Sequence, residues 1–104
     1  MLVDDSMMRQ LQKITELAAA ITKSSSGAGE GDLERLIEEA YRALTGLDGA
    51  LIDTLAAPSL VGLLADPRQQ SALAELLDAH ALVAEQKGDV GRAERRRAKA
   101  RALR

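Results

Sequence analysis

Met7, Leu11, Ile14, Ala18 and Ile21 recur at alternating spacings of four and three residues, a rhythm that an α-helix turns into one continuous apolar stripe. Leu33, Leu36, Ile37, Ala40, Tyr41 and Leu44 follow the same rhythm, and Glu34, Glu38, Glu39 and Arg42 fall on the opposite side. The apolar residues are mainly Ala and Leu, Tyr41 is the one aromatic side chain, and Phe and Trp are absent. Ala and Leu are strong helix formers, whereas strands draw on β-branched and aromatic residues. The expected fold is therefore all-α: one helical domain over residues 1–104, a bundle of four main helices and two short ones.

Capping residues divide the chain. A tethered N-terminal helix is expected over 5–23, capped by Asp5 or Ser6, whose short side chains can accept from the unpaired N–H groups of a first turn. Its stripe has the narrow form of a helix–helix seam, so Met7, Leu11, Ile14, Ala18 and Ile21 are the candidate interface. Leu17 and Met8 widen it, and about two heptads are too few for a coiled coil. Residues 24–31 then hold three serines and three glycines, the composition of a flexible linker. Helix one can thus dock on its own domain or exchange onto a neighbour's.

Central helices are expected over 32–65. Asp32 would cap a helix ending at Thr45, with Gly46 in the left-handed conformation behind it. Asp48 would cap a short piece through Leu55, and Pro58 would open another through Ala65. Leu60, Val61, Leu63 and Leu64 are expected to plug the core. Over 66–104, Asp66-Pro67 starts a helix running to about Lys87, Gly88 stops it, and Asp89 caps the last helix.

The chain has no cysteine, which excludes disulfides, thiol catalysis and thiolate metal sites. It shows no basic segment leading into an apolar stretch at its start, and no run near the ~18 apolar residues that a bilayer demands. The expected setting is soluble and cytoplasmic, with no membrane. Net charge is −2, yet residues 87–104 carry eight basic and two acidic residues, while the preceding part holds six basic and fourteen acidic ones. Such polarity suits head-to-tail pairing, within the chain or with a copy.

Chemistry is harder to find. His80 is the single histidine, and its neighbours three and four residues away, Leu76, Leu77, Val83 and Ala84, are all apolar. A buried or boundary histidine in a helix pair is the expectation. Gly27, Gly29 and Gly31 have the glycine content of a phosphate loop, but a helix precedes them and Asp32 follows where a Lys-Ser/Thr pair belongs. Glu34, Glu38 and Glu39 lack the glycine-turned loop of a calcium site and any histidine for zinc, so they read as a solvated face. No catalytic, cofactor-binding or metal-binding residues are assigned, and no enzyme activity is expected.

Arginines give the sharpest functional candidate. Arg92, Arg95, Arg96 and Lys99 form a candidate anion contact, joined in the same helix by Arg97, Arg101 and Arg104. Phosphate attracts cations whatever the base sequence. Against this stand an acidic chain, no aromatics for stacking on bases, and a helix dipole that favours C-terminal cations in any case. A solvated, partly frayed terminal helix that pairs with the acidic second helix is the favoured reading.

Two resemblances add to this. With small Ala81, the turn Gly88-Asp89, then Ala93 and Ala100, the stretch from Ala74 to Leu103 resembles one tetratricopeptide repeat, which implies a C-terminal hairpin of antiparallel helices. His80 and Arg97 depart from it, standing where that repeat usually has large apolar residues. Tyr41, Arg42, Leu44, Gly46, Leu47 and Asp48 form a Tyr-Arg-x-Leu-x-Gly-Leu-Asp signature that resembles a family of small bacterial helical proteins of unknown function. That resemblance implies a fold and carries no activity. The expected function is a non-catalytic protein–protein interaction module, a homodimer with an unidentified protein partner. The alternative is weak, sequence-independent nucleic-acid binding through the arginine helix.

Overall fold

Six helices follow one another in the computed structural model, which describes residues 5–23, 30–64 and 66–104. The side chains of residues 5–7, 10, 21–23 and 30–32 fall outside that description. The helices are α1 (Asp5–Lys23), α2 (Glu30–Thr45), α3 (Gly49–Thr54), α4 (Ala57–Leu63), α5 (Pro67–Gln86) and α6 (Val90–Leu103). No strand occurs among the described residues, and the all-α expectation holds. No helix of the described residues is long and apolar enough to cross a membrane.

Most boundaries lie where capping chemistry puts them. Asp48 accepts from the Leu51 N–H at 2.9 Å, Asp66 from Arg68 at 2.8 Å and Asp89 from Arg92 at 3.1 Å, each satisfying an otherwise unpaired first-turn donor. Gly46 and Gly88 have φ of 77° and 84°, a conformation that a Cβ penalises. At Gly88 the α5 carbonyls are closed by two bonds, Asp89 N–H to Ala84 at 2.9 Å and Gly88 N–H to Glu85 at 3.0 Å, the Schellman pattern. The start of α2 departs from expectation: the helix begins at Glu30, so Asp32 lies inside its first turn instead of preceding it.

Helix α5 is the spine. Ala72, Leu73, Ala74, Leu76, Leu77, Ala79, Ala81, Val83 and Ala84 are all buried, since other helices cover it on several sides. It packs most heavily on α6, then on α1, then on α2. The α5–α6 pair is antiparallel: Arg97 reaches Glu85 at 2.6 Å while Arg104, farther along α6, reaches back to Asp78 at 2.7 Å. Ala81, Ala93 and Ala100 are fully buried, and such small side chains let two backbones approach closely. The expected C-terminal helix hairpin is present.

Three expectations about packing and pairing need correcting. Of the four residues expected to plug the core from α4 and its end, Leu60 and Leu64 are buried, but Val61 and Leu63 are 38% and 46% exposed. A helix this short turns one side inward, and 60 and 64 share that side. Leu36, expected on the inner face of α2, is 38% exposed, because α1 and α5 cover the side that carries Leu33, Ile37, Ala40 and Leu44. Among the described residues, no ion pair joins the last helix to the acidic α2. Its cations meet Asp53 of α3 and Glu85 and Asp78 of α5, while Glu34 of α2 pairs with Lys87 at the end of α5.

Candidate functional site

The described part of the α1 stripe packs inside the chain. Ile14 and Ala18 are buried in the main core with Leu73, Leu76 and Ile37, and Leu11 and Leu17 pack against its edge, half-buried. The side chains of Met7 and Ile21, the two ends of the candidate interface, lie outside the described residues. Docking of α1 leaves an apolar groove on each flank. Between α1 and α5, Met8, Leu11, Thr15, Ala72 and Glu75 line a depression of about 270 Å³, where Met8 is 51% exposed. Between α1 and α2, Lys13, Ile14, Leu17, Leu36, Glu39, Ala40 and Ala43 line another of about 330 Å³.

The four candidate anion contacts divide. Arg96 is 5% exposed and grips Asp53 with two bonds, Nε to Oδ1 at 3.1 Å and Nη2 to Oδ2 at 2.9 Å, while its Nη1 donates to the His80 carbonyl at 3.1 Å. Lys99 donates to the carbonyls of Ile52 and Asp53 at 2.9 and 2.5 Å, closing the end of α3. Both therefore face inward and hold the fold. Arg92 and Arg95 are exposed, Arg92 with a 3.6 Å ion pair to Asp89. Arg95 shares an open outer depression of α6 with Gly91, Glu94, Arg97, Ala98 and Arg101.

Sequence reasoning missed the polar cluster beneath α6. Tyr41 Oη and His80 Nδ1 are hydrogen-bonded at 3.0 Å, with the rings tilted by 55° and their centroids 5.5 Å apart. Burial drives the Tyr41 hydroxyl far above its ordinary pKa and, with the Arg96 guanidinium nearby, pushes His80 down to about 4. Burial alone would raise the pKa of Asp53, but the Arg96 hydrogen bonds and charge overcome that and hold it low. Glu38 accepts from the Gly49 N–H with both oxygens, at 2.8 and 3.1 Å, capping α3 from α2. An available signal was Arg96 itself: it falls on the Ala93–Ala100–Leu103 stripe, and a buried guanidinium demands a carboxylate.

A cleft of about 430 Å³ opens beside this cluster, lined among others by Glu34, Glu38, Asp53, His80, Arg92 and Arg96. Its inner wall is a hydrogen-bonded network. An imidazole with pKa near 4 is a weak base at neutral pH, and Asp53, Glu38 and Arg96 already spend their hydrogen bonds on one another and on backbone. No group of three or more metal-ligating side chains occurs among the described residues. No buried polar side-chain atom among them lacks a partner.

No family model matches this chain, and no curated protein or solved structure matches it either.

Proposed function

We propose that this chain is a non-catalytic protein-interaction module, working in the cytoplasm as a homodimer that presents a helical face to a protein partner. The observation that carries this reading is a contrast: the buried polar groups are committed to one another, while apolar Met8 and Leu36 stand exposed at two grooves beside α1. Exposed apolar surface gathered in grooves is what protein contacts use. A chain without cysteine depends on no disulfide and suits a reducing compartment. The test is affinity capture of the tagged protein from its native lysate, with and without nuclease. A co-purifying protein that survives nuclease and is lost in M8D and L36D variants is expected. Recovery unchanged by both substitutions would remove the grooves from the account.

A second reading keeps the arginine helix, because Arg95 and Arg101 sit exposed on its outer side. Two of the four candidate cations are turned inward, so few phosphates would be neutralised and a shallow salt dependence is expected. Labelled RNA or DNA that produces no anisotropy change at low salt would end this reading.

A further inference from the structure

We infer that the groove between α1 and α2 is covered by a second copy of this chain, related by a two-fold axis that sets Lys13 of each copy against the partner's Glu39. The inference deepens the proposed function and rests on it. Ile14 and Ala40 are buried at the base of the groove, Leu17 is half-buried beside them, and Leu36 and Ala43 are exposed along an apolar strip about two turns long on α2. Lys13 stands on the α1 rim and Glu39 on the α2 rim, both exposed, and neither joins an ion pair among the described residues.

Charge of both signs on opposite rims is the feature that selects the occupant. In a two-fold interface every contact occurs twice with roles exchanged, so one surface must be complementary to itself. A groove with a cation on one helix and an anion on the other meets that condition: turned about an axis along the groove, it sets rim on rim with each charge on its opposite, and brings exposed Leu36 and Ala43 of both copies over the shared apolar space. A groove built for an acidic or a basic partner would carry one sign. The groove on the other flank of α1 lacks this property, since its cation Arg68 is already engaged by Asp66. The helices are long enough for the task. Nineteen residues of α1 and sixteen of α2 give a two-helix layer roughly 24–28 Å long. Stacking two such layers forms a four-helix contact, with α5 and α6 on the outer sides.

The experiment is a charge swap read by sedimentation velocity of the full chain over roughly two decades of concentration, enough to locate a dissociation constant. The substitutions K13E and E39K lie on exposed rims, and circular dichroism checks that each variant keeps its helices. The wild type is expected to dimerise. Each single reversal faces two pairs of like charges across the axis and should weaken the dimer at least about tenfold, and the double variant K13E/E39K should restore it. A dimer indifferent to the single reversals would overturn this interface while leaving the proposed homodimer intact. A double variant no tighter than the singles would overturn the pairing too. A wild type that stays monomeric throughout would overturn both the interface and the homodimer.

Discussion

Asp53 shows how much a single carboxylate can hold. It neutralises a guanidinium that is 5% exposed, and that guanidinium in turn ties α6 to the His80 carbonyl on α5. Removing one member of a buried pair strands the other charge. D53A is expected to cost roughly 3 kcal/mol in chemical denaturation, the low end for such pairs because Asp53 is partly open to water. Loss of a few tenths would mean that water solvates Arg96 in place. His80 gives a pH dependence of known sign. Its ordinary value of 6.5 falls to about 4 in the folded chain, so between these values the unfolded chain binds the extra proton. The stability that neutral His80 contributes is complete above about pH 6.5 and drains away as pH falls towards 4, by roughly 3 kcal/mol over the window. Glu34 and Asp53, whose values are also lowered, begin to lose their contributions only near and below 4.5 and 3.8. Urea midpoints should therefore fall from pH 7 to pH 5 in the wild type and stay nearly level in H80Q. Neither Asp53 nor the Tyr41 partner of His80 was legible in the sequence, since they lie 43 residues from Arg96 and 39 from His80. Local periodicity says which face a residue is on and nothing about what distant helix comes to meet it.

The elements themselves were far more legible than their contacts. Asp48, Asp66 and Asp89 announce three helix starts, and Gly46 and Gly88 two ends, because capping is chemistry between residues a few positions apart. The packing of α3 is different. Its first N–H is capped by Glu38 from α2, and a Cβ on Gly49 would stand 2.7 Å from a Glu38 carboxylate oxygen and 3.5 Å from the Tyr41 ring. The Glu38 tip can swing away, but its two bonds to the Gly49 N–H would go with it. G49A is expected to lower stability by about 1 kcal/mol, the worth of a lost cap, in thermal or urea unfolding. The same substitution in an E38A background should cost much less, because the cap is already gone. Equal costs in both backgrounds would shift the effect to the Tyr41 contact. Nothing in the local pattern marked Glu38 for this role: by spacing it was an i,i+4 partner for Arg42, and that pair is a loose 3.9 Å.

At the scale of the whole molecule, α5 serves as a spine shared by α1, α2 and α6, and the charge polarity of the chain is largely absorbed inside it. Arg96 and Lys99 bond inside the fold, and Arg97 and Arg104 form partly exposed ion pairs with α5, so these basic residues of the tail find partners elsewhere in the chain. The sequence showed the polarity and left open whether it would be satisfied in cis. It also showed the apolar rhythm of α1 without showing how deep that helix sits, and the depth leaves the α1–α2 groove open. That groove is where a second copy would dock. The most direct measurement is isotope-filtered nuclear Overhauser spectroscopy on an equal mixture of labelled and unlabelled full-length chain, which reports only contacts between copies. Intermolecular contacts are expected from the methyl groups of Leu17, Leu36 and Ala43. Contacts arising instead from Leu51, Val61 or Leu63, or no intermolecular contact at all, would contradict that docking.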